Sequence, residues 1–257
     1  MEKIVALCKR RGFVYPGSEI YGGFAGTYDW GPLGVELRRN VVDTWLWSMQ
    51  QHDNIAQLDS SIFTASRVWE ASGHLAGFSD PMVICNKCHT KLRADHLLEV
   101  VGVVADEKMS GEQINKLFDE TRPKLHCPVC GKKDFGSVSA QSLLATSSLG
   151  MFEGGDEQTY LRGETAQGIF INYKNVLDSG FYSIPFGIAQ VGKAFRNEIS
   201  PRQFLFRKRE FEQMEMQYFV RPGEAQEAYE SWRSERMAYY DLLGVRADKL
   251  RWKRHEN

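Results

Sequence analysis

The sequence predicts an α+β protein, with an antiparallel β-sheet flanked by helices and a metal-binding segment inserted into the main domain. Three observations support this prediction. Residues 186–220 read as two strands joined by a loop, because their polar side chains alternate with period two. A helix with one apolar face follows Gly31 and Pro32. Two Cys-x-x-Cys pairs, at 85–88 and 127–130, are spaced as metal-binding turns.

The second strand of 186–220 places a set of polar and aromatic residues on one face. Alternate positions of a strand point the same way, and the odd-numbered positions here hold Arg207, Arg209, Phe211, Gln213 and Glu215. On the first strand, Arg196 and Glu198 share a side in the same manner. The guanidinium group of arginine can donate two parallel hydrogen bonds to phosphate oxygens, and an aromatic side chain can stack on a nucleotide base. The pattern predicts a nucleotide site, and the alternative is a solvated hairpin with cross-strand ion pairs.

The first part of the chain predicts two helices. Residues 2–12 indicate a short helix with Ile4, Val5 and Cys8 turned inward. The helix that opens at Gly31-Pro32 has apolar residues at the spacing of one helix face, namely Val42, Trp45, Leu46 and Met49. Trp45 and Trp47 are predicted to lie on different faces, with one inside and the other available to a partner.

The middle of the chain divides the main domain. Residues 55–84 carry short strand and loop signals and include His74, which we expect to be structural or positioning. Residues 105–122 predict a helix that starts near Ser110, whereas 136–159 are rich in Ser, Gly and Ala and predict a loose segment. We therefore expect an insertion at 85–160 between two parts of the main domain, 1–84 and 161–257. A final helix is predicted over 223–243.

Four of the five cysteines predict a metal site. Cys85, Cys88, Cys127 and Cys130 can place four soft ligands at tetrahedral geometry, which is typical of structural zinc, and free thiols are the alternative. His89 and His126 lie next to the pairs. Four cysteines already complete a site, so no position is left open for catalysis.

The composition is that of an ordinary globular protein, with 42% hydrophobic and 25% charged residues. A net charge of −1 excludes a general basic field, so any RNA contact is expected at local patches such as 202–209 or 86–93. No apolar run reaches the length of a membrane span. The N-terminus does not read as a signal peptide, and cytoplasm is the expected location.

The residues Phe195-Arg196-Asn197-Glu198, followed by Arg207-x-x-x-Phe211-x-x-x-Glu215, resemble motif 2 of the class II aminoacyl-tRNA synthetases. EIYGGFAGTYDWGPLG at 19–34, ETAQGIFINYKNV at 164–176 and REFEQMEMQYFVRPGE resemble the homodimeric glycyl-tRNA synthetases, a likeness that covers most of the chain. The resemblance implies a class II antiparallel sheet and a homodimer formed through motif 1, the helix after Gly31. It also implies that ATP with Mg²⁺ activates glycine to glycyl-adenylate, and that the glycyl group then passes to tRNA(Gly).

The resemblance also assigns roles in ATP binding. Arg196 is the expected catalytic residue, holding the α-phosphate together with the glycine carboxylate, although a salt bridge with Glu198 is the plain structural alternative. Glu198 is expected to accept from the adenine amine, and Arg207 to hold the outer phosphates. Phe211 is expected to stack on adenine, although a lone strand phenylalanine is usually core.

Glycine is expected to be held by its ammonium group. By match to the family, Glu164 and Glu215 are the carboxylates for that group, and Arg162 contacts substrate or braces the carboxylate. Glu164 could instead be an ordinary acid at a helix start. The family usually has proline where this chain has Gly163, and 141–151 also departs from the family pattern.

The chain contains no segment like motif 3, the glycine-rich strand and helix with an arginine for the γ-phosphate. We therefore expect it to represent the N-terminal part of a synthetase, which alone binds ATP weakly and activates glycine poorly. A non-catalytic, synthetase-like module that binds RNA or protein is one alternative. A zinc-ribbon nucleic-acid protein without a nucleotide site is another.

Overall fold

The computed structural model describes residues 1–105, 109–148, 158–180, 182–199 and 204–253. The chain forms two compact units. The first unit comprises Met1–Ile62, Glu164–Ala194 and Glu210–Asn257, and the second unit comprises Phe63–Gly163 and Phe195–Arg209.

The described residues form eight α-helices, which are α1 (Glu2–Arg10), α2 (Pro32–Gln50), α3 (Ser66–Ala71), α4 (His74–Gly77), α5 (Ala94–Val100), α6 (Gly111–Thr121), α7 (Ala166–Ser179) and α8 (Ala225–Leu242). Short 3₁₀ turns lie at Glu19–Tyr21, Arg122–Lys124, Phe204–Phe206 and Ala247–Lys249.

The strands of the described residues are β1 (Val14–Pro16), β2 (Tyr28–Trp30), β3 (Ile55–Gln57), β4 (Phe63–Ala65), β5 (Ser79–Ile84), β6 (Lys91–Arg93), β7 (Ser139–Ser142), β8 (Ala145–Ser148), β9 (Gln158–Leu161), β10 (Phe186–Phe195) and β11 (Glu210–Phe219). The first unit holds the pair β1–β2 and a sheet in the order β11-β10-β3. The second unit holds two sheets, in the orders β4-β9-β8 and β6-β5-β7. The predicted neighbouring strands over 186–220 are therefore confirmed as β10 and β11. Because β10 pairs with β3 in parallel, the sheet of the first unit is mixed.

The sheet of the first unit buries a hydrophobic cluster against α2 and α8. The buried members of this cluster are Trp45, Met49, Ile55, Ala189 and Tyr239. Met214, Met216 and Tyr218, the even-numbered apolar end of β11, pack against it. A separate cluster joins the sheet to α7 through Ala56, Ile169, Phe186 and Ile188. The sheet is thus held by helices through two separate cores.

Helix α2 begins as predicted, with Pro32 in its first turn and Gly31 as an extended N-cap. A Cβ on Gly34 would lie 1.9 Å from the backbone oxygen of Phe13, so the helix start packs too closely for any side chain there. The predicted inner face is confirmed at Trp45 and Met49, and Trp47 is exposed on another face.

The second unit contains a large hydrophobic core. Buried side chains from β5, α5 and α6 meet around two of the cysteines, with Leu98 and Phe118 fully buried. Helix α6 confirms the predicted helix. Ser110 accepts from the backbone of Gln113, and the Gln113 side chain accepts from the backbone of Ser110, which forms a capping box.

Three predictions of local structure were wrong. Strands β7 and β8 occupy 139–148, where a loose segment was predicted; residues 149–157 lie outside the described residues. Residues 67–70 are helical in α3 rather than strand or loop. Helix α1 buries no residue, and its predicted inward residue Ile4 is exposed. Within the described ranges, no helix combines the length and the apolar character that crossing a membrane requires.

Candidate functional site

The predicted site residues fall in both units. Arg162, Arg196, Glu198 and Arg207 belong to the second unit, together with the four paired cysteines. Glu164, Phe211 and Glu215 belong to the first unit.

Arg196 is held by contacts of both its backbone and its side chain in the second unit. It follows directly on the end of β10 and forms an isolated antiparallel bridge with Leu144. Its Nε donates to the backbone oxygen of Gly163 at 3.1 Å. Its guanidinium carbon lies 5.1 Å from the centre of the Phe78 ring, which is cation–π distance. These contacts fix the plane of the guanidinium group.

Phe78 belongs to a row of rings behind Arg196. The centre of its ring lies 5.1 Å from that of His74, and His74 lies 5.2 Å from Trp69. Nδ1 of His74 is also 2.9 Å from the Ser72 hydroxyl. The His74 ring therefore packs between the rings of Trp69 and Phe78.

Glu198 and Arg207 form an ion pair. Glu198 is buried, and its Oε2 lies 2.9 Å from Nε of Arg207. The backbone oxygen of Glu198 accepts from Nε of Arg209 at 2.8 Å. Both arginines precede β11, which begins at Glu210. The period-two face predicted for them therefore applies only from Phe211 onward.

The segment at 162–163 is tightly enclosed. Arg162 is 3% exposed, and its backbone oxygen accepts from the backbone of Phe195 at 2.8 Å. A Cβ on Gly163 would lie 3.1 Å from Cδ2 of Leu144 and 3.4 Å from the Phe78 ring. The glycine therefore lets the chain pass close to the ring that supports Arg196.

In the first unit, the start of α7 links the two carboxylates predicted for the ammonium group. The Thr165 hydroxyl donates to Oε2 of Glu215, and the Thr165 backbone donates to Oε1 of Gln213 at 3.1 Å. Glu164, next to Thr165, accepts from Nε2 of Gln167 at 2.8 Å. Glu164 and Glu215 are thus attached to the same turn.

The even-numbered acids of β11 have a different role. Glu212 forms two hydrogen bonds with Arg38 of α2, and these bonds raise the pKa of Arg38 above its ordinary value. Glu210 pairs with Lys193 of β10. These acids stabilise the packing of the sheet. Phe211 is half-buried on the alternate face.

The four paired cysteines converge in the second unit. Their Sγ atoms all lie within 4.8 Å of one another. Sγ of Cys85 is 3.6 Å from that of Cys130, and Sγ of Cys88 is 3.6 Å from that of Cys127. Four thiolates around a tetrahedral ion at about 2.3 Å would stand about 3.8 Å apart. The cluster therefore has the geometry of a four-thiolate metal site.

The two turns that carry the cysteines have the same backbone shape. Amides of His89 and Gly131 donate to the carbonyl oxygens of Cys85 and Cys127, each at 2.8 Å. Both residues adopt the left-handed conformation, with φ of 56° at His89 and 72° at Gly131. The side chains of His89 and His126 are exposed and lie outside the four-thiol cluster.

The thiols of Cys88 and Cys130 have very different pKa values. Hydrogen bonds with Thr90 lower the pKa of Cys88 to about 6. A backbone hydrogen bond from Lys132 acts to lower the pKa of Cys130. Burial and hydrogen bonds with the other three cysteines outweigh it and raise the pKa to about 12. Four crowded thiols therefore resist joint ionisation unless a cation compensates their charge.

Sequence reasoning missed several residues that support these groups. Thr165 and Gln167 lie inside the quoted segment at 164–176, so the motif could have indicated them. Phe78 carried no local signal, because its contact with Arg196 spans over a hundred positions. Arg93 also went unassigned, and it pairs with Asp80 at 2.8 Å and with Asp95.

Comparison with known proteins identifies the class of protein to which this chain is related. The family model described as tRNA synthetase class II core domain (G, H, P, S and T) matches residues 151–256. A crystal structure titled as the RNA-binding domain of threonyl-tRNA synthetase from Cryptosporidium parvum aligns with a TM-score of 0.51 at 15% identity, over 86% of this chain and 38% of that one. That likeness concerns the fold alone. The chain is a class II aminoacyl-tRNA synthetase homologue, which confirms the predicted fold class.

Curated proteins that are similar to nearly the whole of this chain are glycine–tRNA ligases. Glycine–tRNA ligase from Treponema denticola is 48% identical over 99% of this chain and 52% of its own length. The corresponding proteins of Thermobifida fusca and Alkaliphilus oremlandii are 48% and 45% identical over 99% of this chain, and 54% and 56% of their own lengths. More narrowly, then, the chain is a homologue of the glycine–tRNA ligases, and it spans about half the length of these relatives.

Proposed function

We propose that this chain carries the glycine-activating site of a glycine–tRNA ligase. In the first step, an oxygen of the glycine carboxylate attacks the α-phosphorus of ATP, which forms glycyl-adenylate and releases pyrophosphate. In the second step, a hydroxyl of the terminal adenosine of tRNA(Gly) attacks the glycyl carbonyl carbon, and AMP leaves. Neither step requires a nucleophile from the protein, so positioning and charge neutralisation supply the catalysis.

The observation that carries this proposal is the pair of carboxylates hydrogen-bonded at the start of α7. Gln167 in the first turn of α7 holds Glu164, and Thr165 at the N-cap holds Glu215, in a chain whose relatives are glycine–tRNA ligases. Glycine offers an ammonium group but no side chain, so two acids held by the same turn suit its recognition. Discrimination against larger amino acids then depends on the space around that group.

Arg196 is the proposed catalytic residue. Its guanidinium group is oriented by the Phe78 ring and the Gly163 carbonyl, which are both in its own unit. A fixed fork of donors can hold the α-phosphate and the glycine carboxylate together, and it neutralises charge that develops during attack.

Three more residues are proposed to contact ATP, two of them in the second unit and one on β11. Glu198 is proposed to accept from the adenine amine while it keeps Arg207 in place through the observed ion pair. Arg207 is proposed to meet the outer phosphates with its terminal nitrogens, and Phe211 to stack on adenine. Arg162 is proposed to brace the substrate carboxylate, and Mg²⁺ to accompany the phosphates.

The four-thiolate cluster is proposed to hold structural zinc. The ligand type and the spacing of the sulfur atoms fit zinc, and all four positions are filled by the protein. The zinc would stabilise the core around Cys85 and Cys127 within an insertion at 85–160. The chain is further proposed to form a homodimer through motif 1 at α2. It is proposed to lie in the cytoplasm and to bind tRNA(Gly) there.

The test is calorimetric titration of the zinc-loaded chain with a non-hydrolysable glycyl-adenylate, 5′-O-(N-glycylsulfamoyl)adenosine. Arg196→Ala is expected to weaken binding about tenfold or more, because a hydrogen bond to a charged group contributes about 1.5–3 kcal/mol. The matched control is Arg67→Ala, which removes an exposed arginine of α3 in the same unit. Equal binding by all three proteins, or no binding at all, would favour a non-catalytic module.

A further inference from the structure

Two buried amides near the start of α7 have unsatisfied polar atoms. Gln167 is 9% exposed and Gln190 is 1% exposed. Among the residues that the structure describes, Oε1 of Gln167 and Nε2 of Gln190 have no hydrogen-bond partner. A buried polar atom without a partner is costly, so each of these atoms requires an explanation.

The two amides differ in whether the unsatisfied atom is a hydrogen-bond acceptor or a donor. Nε2 of Gln167 donates to Oε1 of Glu164 at 2.8 Å, so the leftover atom is an acceptor next to a carboxylate. Oε1 of Gln190 accepts from the Ser60 hydroxyl at 3.0 Å, so its leftover atom is a donor. A cation would be attracted to the first and repelled by the second.

The acceptor of Gln167 belongs to a group of three acceptors attached to one turn. Glu164 is bound by Gln167 itself, and Glu215 is bound by the hydroxyl of Thr165. An ammonium group has three N–H donors, and three acceptors satisfy it; the third, an amide oxygen, adds no further negative charge to that of the two carboxylates. All of these residues lie in the first unit.

We propose that Gln167 is a substrate-binding residue for the ammonium group of glycine. Its Oε1 accepts one N–H of that group while its Nε2 holds Glu164 in position. The inference rests on the proposed function, since it assigns a third acceptor to the same site. It also explains why a buried carbonyl oxygen has no partner within the described part of the protein.

The experiment compares two ligands that differ only in the ammonium group, 5′-O-(N-glycylsulfamoyl)adenosine and 5′-O-(N-acetylsulfamoyl)adenosine. The quantity measured is the ratio of the two dissociation constants, acetyl over glycyl. Gln167→Met removes the acceptor at similar side-chain length and is expected to lower this ratio about tenfold or more. Gln190→Met, the matched control, removes a donor and is expected to leave the ratio within about twofold of wild type.

A third variant separates direct binding from the support of Glu164. Gln167→Glu keeps an oxygen acceptor and loses the donor to Glu164, so it is expected to retain the wild-type ratio or exceed it. A ratio as low as that of Gln167→Met would mean that Gln167 acts only through Glu164, and the direct contact would be ruled out. Melting curves establish that each variant is folded.

The outcomes distinguish this inference from the proposed function. If the wild-type chain prefers the glycyl ligand and Gln167→Met keeps that preference, the assignment of Gln167 is wrong and the site remains. If both methionine variants lose the preference equally, the effect is one of packing and the assignment is again wrong. If wild type shows no preference for the glycyl ligand, the proposed ammonium site itself fails.

Discussion

Replacing one cysteine of the four-thiolate cluster should cost a large part of the stability of the second unit. Cys127 is the informative position, because it is 2% exposed and belongs to the core that contains Leu98 and Phe118. Structural zinc contributes about 10–16 kcal/mol in small domains, or about 2.5–4 kcal/mol for each of four ligands. For a chain of this size, 1 kcal/mol shifts the melting temperature by about 2–4 °C. Cys127→Ser should therefore melt at least about 5 °C lower than wild type.

The assay is thermal unfolding followed by circular dichroism, together with the zinc content by mass spectrometry. The matched control is Cys8→Ser, because Cys8 is the one cysteine outside the cluster. The wild-type chain and the control should each hold one zinc ion, and Cys127→Ser should lose its zinc to a chelator. After complete chelation, wild type and Cys127→Ser should melt at similar temperatures, because the metal no longer distinguishes them. If the difference in melting temperature persisted after chelation, the effect would come from packing and the metal-site reasoning would be refuted.

Further predictions concern packing and the support of Arg196. Gly168→Ala should destabilise the chain by about 1–3 kcal/mol in urea unfolding, because the new Cβ would lie 2.0 Å from the Ser60 hydroxyl, and Ser60→Gly should restore stability in the double variant. Gly34→Ala should cost more than Gly168→Ala, because its Cβ would meet a backbone oxygen at 1.9 Å; an equal cost would contradict so close a packing of α2 against Phe13. Phe78→Leu should weaken binding of the glycyl-adenylate analogue by about threefold to tenfold through loss of the cation–π contact, without additive loss when combined with Arg196→Ala.

Patterns close together in sequence predicted the fold well. Helix α2 follows from Gly31, Pro32 and an apolar spacing that Trp45 and Met49 confirm. Strands β10 and β11 occupy the two arms predicted over 186–220, and the predicted alternation holds in β11 from Phe211 onward. The cysteine pairs predicted their own convergence, because each Cys-x-x-Cys spacing places two thiols on one turn.

Contacts between distant segments could not be predicted. Strands β7 and β8 are short and rich in Ser and Ala, and they form because β5 and β9 supply their partners. Glu198 pairs with Arg207, and neither residue belongs to a helix or strand that could have indicated the pairing. Phe78 supports Arg196 only because the fold brings the start of β5 and the end of β10 together within the second unit. For these features, tertiary packing rather than local pattern decides the structure.

The most direct test measures how strongly the metal-loaded chain prefers a glycyl group over an alanyl group. It compares the dissociation constants of 5′-O-(N-glycylsulfamoyl)adenosine and the alanyl counterpart. If Glu164 and Glu215 form part of a pocket for an amino acid without a side chain, the added methyl should weaken binding by at least about tenfold. Equal affinity for the two ligands would contradict the proposal that this chain recognises glycine.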